Sequence, residues 1–250
     1  QAPSWWFWMR KREGRVGEPK IVVVDYHKGN LSSVVRGLAR AGAVACTSDD
    51  PDQIRNADGL VIPGVGAFYD AIAFMRESGE ADAVLDAVAA GTPLLGICLG
   101  LQLFFERGNE GVPADAGAVV DGDVSEQAGG PWVDGLGIMR GSCTRLESSR
   151  LKVPHVGWDQ IHLTAHGQAC PLFRGVPEGA NVYFTHSYAL DDDVEGAVVA
   201  TRTHYVRSFS SSVWSNNVYG VQFHPESILT PRGKDMLKNF IALSKEGAQA

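Results

Sequence analysis

Leu94-Leu95-Gly96-Ile97-Cys98-Leu99-Gly100 is the stretch whose reading decides the fold. Leu94 to Ile97 is a short apolar run with no polar face, the pattern of a strand covered on both sides in a parallel sheet. From Leu99 to about Arg107 a helix is expected. Cys98 at the junction, with a glycine two residues away on each side, gives G-x-C-x-G, the nucleophile-elbow pattern with cysteine in place of serine. Glycines are needed there because the chain turns so sharply that a Cβ would clash. The turn lifts the thiol onto the start of the helix, where the macrodipole favours a thiolate by at most about 2 kcal/mol, or roughly 1.5 pKa units. Starting from about 8.5, that leaves only about half of the thiol ionised at neutral pH, so a basic partner is required.

The same unit recurs upstream. Ile21 to Val24 is a buried-strand run ending at Asp25; Lys28-Gly29-Asn30 then turns the chain. Leu31, Val34, Val35, Leu38 and Ala39 follow at helical spacing, and Gly42 closes that helix. Gly59 to Ile62 is another strand, ending at Pro63-Gly64-Val65-Gly66, and a helical stretch from about Ala67 to Ala90 is interrupted near Gly79. Strand–helix–strand order predicts an α/β fold with a mostly parallel open sheet flanked by helices. Residues 108–134 lack periodicity and are expected to be a surface insertion or mobile loop. Beyond Gly135, short runs at about 153–163, 181–190, 197–201 and 204–223 predict antiparallel strands added to the same core. A last helix is expected from about Pro231 to Ser244.

Composition excludes several classes. The 250 residues carry 29 acids and 22 bases, a net charge of −7, the wrong sign for coating nucleic acid. No apolar run reaches the roughly 18–20 residues that a membrane span needs. Residues 1–19 read as a disordered leader, with the apolar Trp5–Met9 run ahead of its basic cluster, opposite to a signal peptide; residues 20–246 read as one domain. Cys46, Cys98, Cys143 and Cys170 form no C-x-x-C pair, and the seven histidines form no H-E-x-x-H. No metal or cofactor is therefore expected, and a reduced, cytoplasmic setting is. Cys46, Cys143 and Cys170 read as small hydrophobic residues; His155, His162, His166 and His204 read as surface or strand residues.

The basic partner for Cys98 is His224. Val218 to Phe223 reads as a strand, so His224 stands near its end, where sites in open α/β sheets gather. Glu226 lies two residues on, with Pro225 restricting the link, and on an extended chain both side chains point the same way. The carboxylate can then fix the imidazole tautomer, giving a Cys–His–Glu triad in which His224 is base and then acid. Acyl chemistry also needs oxyanion donors: the Leu99 N–H is one, and the Gly64-Val65-Gly66 turn can aim the Val65 N–H as the other.

These residues resemble the class I, triad-type glutamine amidotransferases over about residues 20–244. Within that class the chain is most similar to the glutaminase subunits of imidazole glycerol phosphate synthase. The resemblance is carried by Pro63-Gly64-Val65-Gly66-Ala67-Phe68, Gly96 to Gly100 with Gln102, Pro154-His155 with Gly157-Trp158, His186-Ser187-Tyr188 and Gly220 to Glu226. It implies that Cys98, His224 and Glu226 hydrolyse L-glutamine to glutamate and ammonia. It also implies an oxyanion hole from the Val65 and Leu99 amides, and a substrate site including Gly64, Gly66, Gln102, His186, Ser187 and Tyr188. The implied partner is a (β/α)₈-barrel cyclase subunit that receives the ammonia and makes imidazole glycerol phosphate and aminoimidazole carboxamide ribonucleotide in histidine biosynthesis. Ser227 stands where that family usually has lysine. Ser227-Ile228-Leu229-Thr230-Pro231 instead resembles the amidotransferase component of anthranilate synthase. The alternative is thus the amidotransferase component of anthranilate or aminodeoxychorismate synthase.

Overall fold

The computed structural model describes residues 18–27, 31–64, 66–113, 124–127 and 130–247. In chain order these form β1 (Ile21–Val24), α1 (Leu31–Ala41), β2 (Ala45–Ser48), α2 (Pro51–Arg55), β3 (Gly59–Ile62), α3 (Phe68–Glu77), α4 (Glu80–Ala89) and β4 (Leu94–Ile97). Then come α5 (Leu99–Gln102), β5 (Phe105–Gly108), β6 (Val124–Gln127), β7 (Gly130–Asp134), β8 (Met139–Arg145), β9 (His155–Leu163) and α6 (Ala165–Ala169). The chain finishes with β10 (Ala180–His186), β11 (Tyr188–Leu190), β12 (Val199–His204), β13 (Ser208–Ser215), β14 (Val218–Val221) and α7 (Gly233–Gly247).

A large sheet runs β10-β9-β12-β13-β14-β4-β3-β1-β2. From β14 to β2 all pairings are parallel, and from β14 to β10 all are antiparallel. The expected parallel sheet with antiparallel strands added to it is therefore one continuous sheet. β1, β3, β4 and β14 are buried at every position, because helices and loops cover both faces. Alternate residues feed two cores: Val22, Leu60 and Leu94 on one side, Ile21, Val61 and Leu95 on the other. α1 buries Val34, Leu38 and Ala41 on one face. α3 and α4 are separated at Gly79, whose φ of 80° suits a residue without a Cβ. α7 buries Met236, Leu237, Phe240 and Ile241 as expected, but starts at Gly233, with Pro231 and Arg232 in the preceding turn.

Three expectations need correction. The helix after Cys98 is a single turn ending at Gln102, and the chain re-enters as β5. Leu101, Leu103, Phe104 and Phe105 are all fully buried, so this stretch has no polar face and periodicity cannot separate helix from strand. The 108–134 segment, expected as a loop, contains the β6–β7 hairpin, and β7 pairs with β5. These strands belong to a second, five-stranded sheet, β11-β8-β5-β7-β6, which the sequence reading did not anticipate. The expected 181–190 strand divides at Ser187: β10 stays in the large sheet and β11 crosses to the small one. The 204–223 run is the β13–β14 hairpin, turning at Asn216 with φ 51°. Among the described residues no helix is long and apolar enough to cross a membrane. Residues 1–17 of the expected leader, and Val65, lie outside the described residues.

Candidate active site

The site is assembled at the C-terminal ends of β3, β4 and β14, as open parallel sheets favour. β4 delivers Cys98, whose φ of 54° and ψ of −107° mark a strained non-glycine turn. Its backbone N–H donates to the Val221 carbonyl at 2.7 Å, tying the elbow to β14. The neighbouring glycines are dictated by close approach. A Cβ on Gly100 would lie 2.0 Å from the Ile62 carbonyl oxygen, and one on Gly96 would lie 2.4 Å from Phe104. A Cβ on Gly64 would lie 2.3 Å from the Leu99 nitrogen and 2.9 Å from Cys98 Cβ. The turn after β3 thus rests directly on the elbow, beside the Leu99 amide. Gly66 adopts φ 110°.

β14 delivers the other half. Past Val221 the chain bends at Gln222 and Phe223 and then turns through Pro225 and Glu226, so the His224–Glu226 pairing is made across a turn rather than along an extended chain. The His224 N–H donates to the Tyr183 carbonyl at 3.1 Å. Thr230 Oγ1 donates to the His224 carbonyl at 2.7 Å, closing the loop behind it. His224 Nδ1 lies 2.9 Å from Glu226 Oε1, both side chains being largely buried. α1 crosses immediately behind, so tightly that a Cβ on Gly37 would lie 2.8 Å from Glu226 Cβ. Burial alone would lower the His224 pKa, but Cys98 and Glu226 outweigh it and raise the value to about 10. With Nδ1–H held by the carboxylate, Nε2 is buried and without an acceptor in hydrogen-bond geometry. An imidazolium fixed in this way beside a strained cysteine is equipped for acyl transfer through a thiolate.

Cys98, Leu99, Gly64, Gly66, Gln102, His186, Ser187, Tyr188 and His224 all line one cavity of about 320 Å³. Every substrate-site residue expected from the sequence is therefore brought together there. Gln102 donates from Nε2 to the Tyr188 carbonyl and to Gln222 Oε1, both at 3.0 Å. His186 donates from Nδ1 to the Tyr188 carbonyl at 2.8 Å. Burial drives the His186 pKa down to about 3, so it acts as a neutral hydrogen-bonding ring. His155, expected on the surface or in a strand, is a buried β9 residue stacked on Tyr205 and Phe184, with Nδ1 3.2 Å from His186 Nε2.

The cavity also holds Pro154, which entered the sequence reading only through the resemblance, and Glu110 and Thr185, which that reading did not single out. Glu110 follows β5 in a segment without periodicity, so only the unforeseen second sheet reveals its position. Burial raises its carboxyl to about 7. Among the described residues no group of three or more His, Cys, Asp or Glu side chains could hold a metal. Cys143 and Cys170 are buried as expected, and burial raises both thiols, Cys170 to about 11; Cys46 is instead exposed on edge strand β2.

A cysteine elbow, a His–Glu pair just beyond the adjoining strand, and Gly64, Gly66 and Leu99 around one cavity are the outline of a thiol-dependent amide-cleaving site. The family described as glutamine amidotransferase class-I matches residues 22–243, and the chain belongs to that family. Similar solved structures include one described as a glutamine amidotransferase, with TM-score 0.64 and 18% identity, covering 90% of this chain and 98% of the other. A putative GMP synthase component from Thermoplasma acidophilum has TM-score 0.62 and 20% identity, covering 92% and 96%. Within the family, the chain is 40% identical over 230 residues to the imidazole glycerol phosphate synthase subunit HisH of Moorella thermoacetica, covering 92% of this chain and 98% of the relative. The HisH subunit of Gloeobacter violaceus is 38% identical over 234 residues, with 92% and 93% covered. Likeness of this extent puts the chain in the HisH branch of the amidotransferases.

Proposed function

We propose that this chain is the glutaminase subunit of an imidazole glycerol phosphate synthase, with Cys98 as nucleophile, His224 as base and acid, and Glu226 as the group that orients His224. The observation that carries this reading is the pairing of the strained Cys98 turn with a buried His224 whose Nδ1 is held at 2.9 Å by Glu226.

Both amide protons of Gln102 are committed to protein acceptors, so what it offers glutamine is its carbonyl oxygen, which suits the α-ammonium. Glu110, across the same cavity, gives that cation a carboxylate, and a bound ammonium would favour its ionised form. The side-chain amide oxygen then faces the Leu99 N–H, with the Val65 amide as the second donor. The Cys98 sulfur attacks the amide carbon, forming a C–S bond, and the proton carried by His224 passes to the nitrogen as the C–N bond breaks. Ammonia leaves. Water, deprotonated by His224, cleaves the thioester and releases glutamate.

Val156, Trp158, Ile228 and Leu229 are exposed apolar residues. Val156 pairs with Thr185, which lines the site cavity, and Ile228 lines a neighbouring cavity with His224 and Glu226. Trp158 Nε1 donates to the Leu229 carbonyl at 2.7 Å, joining β9 to the segment after Glu226. Exposed apolar residues so placed fit a partner subunit docking over the site to take the ammonia; we assign them to a (β/α)₈-barrel cyclase. The anthranilate-type alternative rests on the Ser227–Pro231 tail, and is not favoured because curated relatives at 36–40% identity are HisH subunits. An irreversible glutamine-mimicking electrophile tests the site: peptide mapping should find the label on Cys98, faster than on exposed Cys46, and glutamine should protect. Labelling no faster than at Cys46 would overturn the assignment.

A further inference from the structure

Gln222 is wholly buried, yet it has no place in the triad. Its side-chain Nε2 lies 3.4 Å from Cys98 Sγ and donates to it. The direction of that bond is fixed by what lies behind it. The Tyr188 carbonyl can only accept, so the Gln102 atom facing it at 3.0 Å is the amide nitrogen. That same nitrogen donates its second proton to Gln222, so the Gln222 atom facing Gln102 is the oxygen. The nitrogen of Gln222 is left toward the sulfur. Turning the Gln222 amide over would set two N–H donors against each other and an oxygen against Cys98, leaving buried polar groups unpaired. His186 donates to the same Tyr188 carbonyl at 2.8 Å and holds the anchor of the series in place.

We propose that Gln222 is a catalytic residue of the glutaminase site, a donor that stabilises the ionised sulfur of Cys98. This role rests on the triad reading and deepens it. A thiol is a poor acceptor and a thiolate a good one, and a hydrogen bond to an ion is roughly twice as strong as one between neutral groups. The bond therefore favours the state that attacks substrate. The need is real because α5 is only four residues long and offers little macrodipole to the sulfur. Stabilisation must come from side chains around the elbow, and His224 supplies the charge while Gln222 supplies a directed donor. Gln102 links the two tasks: the amide that presents its oxygen to substrate also locks the donor on the nucleophile.

The test is the pH dependence of Cys98 alkylation by iodoacetamide in the full-length chain, read at Cys98 by peptide mapping to separate it from exposed Cys46. Gln222→Met removes the donor. Gln222→Glu keeps an acceptor for Gln102 but sets a carboxylate oxygen against the sulfur in place of the donor, so its midpoint should rise at least as far as that of the Met variant, and it serves where the Met variant fails to fold. His224, Glu226, His186, Tyr188 and Glu110, the other titratable groups around the cavity, are unchanged in both. The alkylation midpoint should rise by about one pH unit or more in either variant, with glutamine kcat down about tenfold and KM within about twofold. A midpoint identical to that of the parent chain would overturn the proposal while leaving the triad intact. Glutaminase activity surviving in Cys98→Ala would overturn the triad, and with it this role for Gln222.

Discussion

At the level of single residues, the chemistry comes from a conformational cost at Cys98 and a charge at His224. A positive φ in a residue with a Cβ is retained only where the surroundings impose it, and here β3, β4 and β14 do so through backbone contacts. His224 gives a pH signature. Its folded value, about 10, lies above the usual value of about 6.5. Its stabilising contribution is thus fully present below about pH 6.5 and is lost as pH rises through about 10. Urea unfolding of the parent chain and His224→Gln at pH 6, 8 and 10 should show the parent losing stability relative to the variant across that range. Parallel profiles would mean that His224 is not held as a cation. The proposed triad could be picked out of the sequence because its residues sit at strand ends in short, characteristic spacings, and the structure brings Cys98 and His224 to one cavity with Glu226 on the His224 ring. Glu110 and Gln222 could not: one lies in an aperiodic segment, and the other reads as an ordinary residue of an apolar strand until Cys98 is placed beside it.

At the level of elements, the strand–turn contacts around the elbow set the precision of the site. Gly100 packs on the end of β3, leaving no room for a methyl group. Gly100→Ala should therefore destabilise the chain by roughly 1–3 kcal/mol or more and cut glutamine turnover severely. Gly196→Ala, where a Cβ meets nothing within 4 Å, should stay within about 0.5 kcal/mol of the parent. Chemical denaturation of the pair measures the difference; equal stabilities would mean that the elbow tolerates the methyl group and the close-packing argument fails. The parallel edge strand β2, a mostly exposed Ala45-Cys46-Thr47-Ser48 run, was not readable, whereas β1, β3, β4, β14 and α1 were, because apolar runs and helical spacing are local signals. The second sheet was hidden for the opposite reason. β5 shares one apolar run with α5, β6 and β7 lie in a Gly- and Asp-rich stretch, and β11 differs from β10 only by which sheet it joins. Each of those assignments is settled by distant pairing.

At the level of the whole molecule, the two sheets meet where Ser187 carries the chain from one to the other, and the cavity lies at that seam. The exposed apolar residues around Trp158 adjoin it through Val156, the partner of Thr185. Trp158→Ala should weaken association with the cyclase about tenfold or more, as loss of a buried aromatic anchor does, while leaving glutamine hydrolysis by the isolated chain within about twofold. Titration calorimetry and a glutamate assay separate the two effects, and unchanged affinity would move the interface elsewhere. On the proposed reading, this triad makes ammonia on behalf of a partner. The most direct test is glutamate release from glutamine by the purified chain, alone and with the cyclase plus its ribonucleotide ligand, with Cys98→Ala alongside. Strong stimulation by the liganded partner is expected, and none in the Cys98→Ala chain. Appreciable Cys98-dependent turnover that does not respond to the cyclase would contradict that reading.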